Sequence, residues 1–296
     1  MTTLVFGHKS PDTDSTGSPI IWAWYLTETG TPAKPVLLGE PNTEAAFVLK
    51  HWGLDKPAII SDVTADDKVV IVDTNNPAEL PPSINEAKLQ AIIDHHMLVG
   101  GIKTKTPIDI TIRPLACTAT IMHDLMGETL KKAPRGIKGA MLSCIISDTL
   151  EFRSPTTTGH DRHVAEMLAA DLDVKIPVLA SQMFEAKSDV SAFSDAELLR
   201  MDSKEYNVDG KELRVSVLET TAPKVVLDRK DSLMRAMEGV AKEDGADQVL
   251  LFVVDILKEE ATLLVPNDLV KQMAEASFGC TVTGDTVVLP GIMSRK

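Results

Sequence analysis

Residues 68–73 read Lys-Val-Val-Ile-Val-Asp, and residues 89–94 read Leu-Gln-Ala-Ile-Ile-Asp, followed at once by His95 and His96. Each is a short, almost continuous apolar run that ends on a carboxylate. A run of this kind belongs to a strand covered on both faces, the situation of a parallel sheet flanked by helices. The flanking sequence agrees. Leu4–His8 predicts a strand, Ser18–Glu28 a helix, Pro35–Leu38 a strand and Glu44–Trp52 a helix; further on, Ala116–Gly127 and Gly139–Ile146 are helical, the last apolar nearly all round. Strands alternating with helices predict an α/β domain around a mostly parallel sheet.

Residues 185–194, Glu-Ala-Lys-Ser-Asp-Val-Ser-Ala-Phe-Ser, are polar and lack sustained periodicity. The pattern then restarts, with strands expected at Lys211–Glu219, Gln248–Ile256, Ala261–Val265 and Thr286–Leu289 and helices at Asp231–Glu243 and Asp268–Phe278. The expected fold class is therefore α/β in two domains. A larger N-terminal domain (1–186) is followed by a hinge (187–194) and a smaller C-terminal domain (195–296) with a mixed sheet. A ligand is expected in the cleft between them.

Composition limits the function. The 296 residues are 44% hydrophobic and 25% charged, enough apolar material for substantial cores. No apolar run approaches the roughly 18 residues of a membrane span, and the start shows no secretion signal. Three scattered cysteines do not make a disulfide framework, so a reduced, cytoplasmic setting is expected. The net charge of −13 and 4% aromatic content argue against a nucleic-acid carrier.

The chemistry gathers at four places. The first strand runs into Phe-Gly-His-Lys-Ser-Pro-Asp-Thr-Asp (6–14), putting His8, Asp12 and Asp14 just beyond it. Asp73 ends the second apolar run, Asp94, His95 and His96 end the third, and Asp148 closes the buried helix. Ligands of open α/β sheets bind at the carboxyl ends of strands. A carboxylate is disfavoured at a helix carboxyl end, so something positive should hold Asp148. Carboxylates and imidazoles without cysteine suit Mn²⁺, Co²⁺, Zn²⁺ or Mg²⁺, and the number of candidate ligands calls for two ions. By contrast, His160 and His163 read as surface or capping residues, His123 as a surface or satisfied histidine, and Cys117, Cys144 and Cys280 as inert thiols.

Taken in order, these strings resemble the family II, manganese-dependent inorganic pyrophosphatases of the DHH phosphoesterase superfamily. Val-Asp-Thr-Asn at 72–75, Asp-His-His at 94–96, Ser-Asp-Thr-Leu-Glu-Phe-Arg-Ser-Pro-Thr-Thr-Thr at 147–158, Met-Asp-Ser-Lys-Glu-Tyr at 201–206 and the terminal Ser-Arg-Lys join the first motif. The resemblance implies hydrolysis of pyrophosphate by a hydroxide shared between two Mn²⁺ or Co²⁺ ions, with further Mg²⁺ arriving on the substrate. His8, Asp12 and Asp73 would hold one ion. Asp14, Asp73, His95 and Asp148 would hold the other. His96, Lys204, Arg295 and Lys296 would act on the substrate, and Asp94 would orient a histidine. A homodimer without nucleic-acid or membrane partners is also implied. The rival readings are a phosphoesterase of the same superfamily acting on short polyphosphate, oligonucleotides or cyclic dinucleotides, and a non-catalytic pyrophosphate sensor. The stretch Ser15–Pro19, where relatives carry small apolar residues, is expected to alter packing behind the metals more than ligation.

Overall fold

The computed structural model describes residues 2–201, 203–208 and 210–292. The chain divides into two compact units, Met1–Ala186 and Lys187–Lys296.

The first unit runs β1 (Thr3–Phe6), α1 (Thr13–Glu28), β2 (Ala33–Leu37), α2 (Thr43–Trp52), β3 (Ala58–Ile59), β4 (Lys68–Val72), β5 (Lys88–Asp94), β6 (Asp109–Ile112), α3 (Thr118–Met126), α4 (Arg135–Thr149), α5 (Gly159–Leu172) and α6 (Ile176–Lys187), the last crossing the division by one residue. Its six strands lie in the order β3-β2-β1-β4-β5-β6, and every neighbouring pair is parallel. Strand order reverses between β1 and β4, which opens a crevice at their carboxyl ends, the place where doubly wound sheets bind ligands. One face of this sheet packs Phe6, Val69, Ile71, Leu89 and Ile92 into a shared core.

Helix α1 begins five residues earlier than the sequence pattern indicates. Pro19 argues for a start near Ser18, because proline is tolerated in a first turn. Instead Asp12 caps the helix by accepting the Ser15 N–H at 2.9 Å, and Pro19 lies inside. Asp14 thereby sits in the first turn of a helix rather than in a loop. Gly17 lets α1 approach α4 closely: a Cβ there would lie 2.4 Å from Cys144 Sγ. That approach brings the first turn of α1 to the last turn of α4.

The second unit comprises α7 (Asp195–Met201), β7 (Ser203–Val208), β8 (Lys211–Thr220), α8 (Pro223–Leu227), α9 (Lys230–Asp244), β9 (Gln248–Asp255), β10 (Glu260–Leu264), α10 (Asp268–Phe278) and β11 (Thr286–Pro290). The sheet order is β11-β10-β9-β8-β7, with β8 and β9 parallel and the other pairs antiparallel, so the sheet is mixed. Strand β9 is buried throughout. Val249, Leu251 and Val253 enter one core, and Leu250, Phe252 and Val254 enter the other. Period-two alternation thus explains why its sequence is apolar without interruption.

Candidate metal centre

The site is built at the carboxyl ends of β1, β4 and β5. After β1, Gly7 makes room for Ser15: a Cβ at Gly7 would fall 2.0 Å from Ser15 Oγ. That hydroxyl accepts the His8 N–H at 2.7 Å and fixes the loop. His8 Nε2 then lies 3.8 Å from Asp12 Oδ2 and 3.6 Å from Asp73 Oδ2. Asp73 follows β4 with φ at 58°, a left-handed conformation that aspartate tolerates better than most residues. The residue is 1% exposed, and its carboxylate faces His8 through one oxygen and His95 through the other, at 3.4 Å from His95 Nε2.

Both histidines after β5 are oriented from behind. His95 Nδ1 donates to the Leu115 carbonyl at 3.2 Å, which turns Nε2 towards Asp73. With the proton on Nδ1, Nε2 offers its lone pair to a carboxylate, a juxtaposition that calls for a cation. His96 Nδ1 donates to Asp94 Oδ1 at 2.8 Å, and Asn75 donates to Asp94 Oδ2 at 2.6 Å. Burial by itself would raise the Asp94 pKa, but the hydrogen bonds from His96 and Asn75 bring it below the ordinary carboxylate value. The His96 side chain is 52% exposed, the most accessible group of the centre among these histidines.

The helices complete the cluster. Asp14 Oδ1 accepts from Ser18 Oγ at 2.5 Å, and Asp14 Oδ2 accepts from the Thr118 N–H at 2.7 Å and the Cys117 thiol at 3.2 Å. Thr118 Oγ1 donates to Asp73 Oδ1 at 3.1 Å, so the first residue of α3 ties Asp14 to Asp73. Asp148, in the last turn of α4, brings a carboxylate oxygen within 4.8 Å of Asp14 and Cys117 ligand atoms. Asp148 Oδ2 is buried without a hydrogen-bond partner. Burial, first, and then the charges of neighbouring aspartates push the pKa of both Asp73 and Asp148 well above the ordinary value. Buried like charge of this kind is costly unless cations join it.

The structure therefore brings together His8, Asp12, Asp14, Asp73, Asp94, His95, His96 and Asp148. Lys204 is an exposed residue of β7, paired in register with Val215 in the second unit. Arg295 and Lys296 lie outside the described residues. Sequence reasoning gave no role to Asn75 and Thr118, read Ser15 and Ser18 as packing behind the metals, and read Cys117 as an inert thiol. Ser15 and Ser18 do more than fill space, since each hydroxyl bonds directly within the centre. Cys117 stands among the carboxylates, where its thiol donates to Asp14 and where burial, then the Asp14 and Asp148 charges, push its pKa well up. A cavity of about 550 Å³ opens beside the centre, lined by His8, Lys9, Asn75, Asn76, His96 and Met97 among others.

Known proteins resemble this chain over nearly its whole length. Residues 2–147 match the DHH family, N-terminal domain, and residues 181–296 match the DHHA2 domain. A Deinococcus radiodurans protein named "Probable manganese-dependent inorganic pyrophosphatase" is 39% identical over 298 residues, covering 99% of this chain and 94% of that protein. A Lactobacillus helveticus protein of the same name is 34% identical over 295 residues, with the same coverage of each. A Methanococcus jannaschii crystal structure, assigned by its description to the family II inorganic pyrophosphatases, superposes with a TM-score of 0.64 at 34% identity, covering 100% of this chain and 96% of that one. With two complete parallel and mixed sheets, a DHH domain followed by a DHHA2 domain, and relatives matched over nearly their whole length, the chain belongs to the manganese-dependent inorganic pyrophosphatase family.

Proposed function

We propose that this protein hydrolyses inorganic pyrophosphate to two phosphates with the help of two divalent ions, Mn²⁺ or Co²⁺. The observation that supports this best is the convergence of His8, Asp12, Asp73 and His95 at the switch point of the sheet, in a chain of this family.

The residues present fit such ions. The unpartnered buried Asp148 Oδ2 and the lone pair that His95 turns towards Asp73 both ask for a cation. Carboxylates and imidazoles are ligands that manganese and cobalt accept. His8, Asp12 and Asp73 would hold one ion, and Asp14, Asp73, His95 and Asp148 the other, with Asp73 shared. Bound divalent ions supply Lewis acidity to phosphoryl oxygens and lower the pKa of water towards neutrality.

The remaining roles fall to the chain itself. Asp94 holds the Nδ1–H of His96, so His96 Nε2 is the atom that can keep a proton against a phosphate oxygen. Asn75 also accepts the Val99 N–H and donates to the Met97 carbonyl, so one side chain ties the loop after His96 to Asp94. Asp12, Asp14, Asp73 and Asp148 carry four negative charges, which two divalent ions neutralise. Attraction of pyrophosphate then needs further cations, and the second unit offers Lys204, Arg295 and Lys296. Arginine matches phosphate oxygens in a bidentate fork, whereas lysine acts as a mobile point charge. The same reading has Mg²⁺ arriving with the substrate, a homodimer and a cytoplasmic setting without nucleic-acid or membrane partners; among the described residues no helix is long and apolar enough to cross a membrane.

Phosphate release tests the proposal. The metal-stripped protein, reloaded with Mn²⁺ and given excess Mg²⁺, is expected to release phosphate rapidly from pyrophosphate. Tripolyphosphate and a short oligonucleotide run in parallel should react far more slowly. Cleavage of either in preference to pyrophosphate would move the activity elsewhere in the superfamily.

A further inference from the structure

A second meeting of imidazoles and a carboxylate lies away from the strand ends. His123 and Asp124 are in the last turns of α3, and His160 is in the first turn of α5. Asp161 ties the start of α5 to the start of α3, one turn before Asp124. Its carboxylate accepts from Thr120 Oγ1 at 2.7 Å and from the Ala116 N–H at 3.1 Å while it closes the capping box of α5 with Thr158. His160 Nε2 then lies 2.9 Å from Asp124 Oδ1, and His123 Nδ1 lies 3.3 Å from the same oxygen. Arg113 donates to the other oxygen, Oδ2, at 2.8 Å, so the carboxylate is held with Oδ1 towards the two rings.

We propose that His123, Asp124 and His160 form a peripheral binding site for a late first-row divalent cation, Zn²⁺ above all. Their three ligand atoms lie within 4.8 Å of one another. A tetrahedral ion with bonds of about 2.0–2.1 Å spaces its ligand atoms about 3.3–3.4 Å apart. Two of the three edges are thus already near the required length. Two imidazoles and one carboxylate leave a fourth position for water, and this mixed set suits zinc. The ring protons move to the outer nitrogens when the inner lone pairs turn to the ion, with solvent carrying the exchange. Arg113 plays the part that hydrogen-bonded neighbours play for ligating carboxylates elsewhere.

Three further observations favour a cation here. His123 stands near the carboxyl end of α3, where the helix dipole welcomes positive charge. The side chains are 20%, 27% and 41% exposed for His123, Asp124 and His160, fixed yet reachable. His123 and Asp124 also line a cavity of about 670 Å³ shared with Leu130, Lys131, Lys138 and Met167, which gives an ion a way in.

The test uses the full chain. Chelated protein is titrated with Zn²⁺ alone, and zinc retained after gel filtration is counted. The double variant His123→Ala/His160→Ala is expected to retain one Zn²⁺ per chain fewer than the unaltered protein. Its Mn²⁺-supported phosphate release should be unchanged. Equal zinc content in the two proteins would overturn the proposal. A second measurement does not depend on how the variant folds. In the unaltered protein, the ring resonances of His123 and His160 should shift together as Zn²⁺ is added. If only those of His8, His95 and His96 move, there is no such site.

Discussion

Asp73 combines three costs in one residue: a left-handed backbone, near-complete burial, and the repulsion of Asp14, Asp12 and Asp94. Each pKa unit by which a folded carboxyl is raised corresponds to about 1.4 kcal/mol against its ionised form. Asp73→Asn removes that charge while keeping an oxygen for Thr118. The chelated variant is therefore expected to melt at a higher temperature than the chelated parent, while its gain on adding Mn²⁺ disappears. Thermal melts with chelator and with Mn²⁺ check both halves; an undiminished Mn²⁺ response would remove Asp73 from the ligand set. The proposed function gives Arg295 to the substrate and not to the ions. Arg295→Ala should lower kcat/KM by about 10²–10³-fold, the usual effect of losing one donor to developing charge. Its Mn²⁺ content, measured by elemental analysis, should stay the same.

Among the elements, α3 is the hub of the centre. Its first residue donates to Asp14 and Asp73, and the Leu115 carbonyl just before it orients His95. Asp161 holds this segment from α5 through Ala116 and Thr120. Asp161→Asn leaves a single acceptor oxygen for donors that now share two. The expected loss is about 1–3 kcal/mol of stability. Weaker Mn²⁺ binding should accompany it, read by calorimetric titration of the folded variant; unchanged affinity would show that the α3 entry is held without Asp161. The α1–α4 contact admits a sharper test. Gly17→Ala places a methyl where Cys144 Sγ stands, 2.4 Å away. Overpacking of this order costs about 1–3 kcal/mol. Cys144→Ala in the same chain should restore most of the loss, giving a favourable coupling in a double-mutant cycle by urea unfolding. Additive losses would mean that the helices separate instead of clashing at that point.

For the whole molecule, the acidic cluster links stability to metal and pH. Asp73 and Asp148 bind protons more tightly folded than unfolded, where the ordinary value is 3.8. The chelated protein should therefore gain stability as pH falls from neutrality through their raised folded values, and lose it as pH rises again. The Mn²⁺-loaded protein should behave in the opposite way over pH 7.5 to 5.5, since the ions need ionised carboxylates and neutral imidazoles. Melting temperatures at a fixed excess of Mn²⁺ and with chelator should thus converge as pH falls. At a hundredfold excess over Kd, each site adds about 2.7 kcal/mol. Parallel pH profiles for the two forms would contradict a carboxylate-held metal centre.

The amino-acid sequence by itself determined the two-unit α/β plan and the principal polar residues of the site. Val69–Val72 and Ile92–Asp94 are legible because burial on both sheet faces leaves a local, uninterrupted apolar signature that ends where the strand does. Asp73, Asp94, His95 and His96 follow from that ending. The edge strands β6 and β7 escaped notice because Asp-Ile-Thr-Ile and Ser-Lys-Glu-Tyr-Asn-Val are largely unburied and lack that signature. Only the tertiary structure decided how the ligands are held. Thr118 reaches Asp14 across 104 positions and Asp73 across 45, Ser15 matters because Gly7 lets it approach, and Asp124 meets His160 only where two helix ends converge. Local pattern reports the burial of a segment along its own axis. Hydrogen bonds between distant segments depend on which helices and strands meet, and that pairing leaves no periodic trace in the chain.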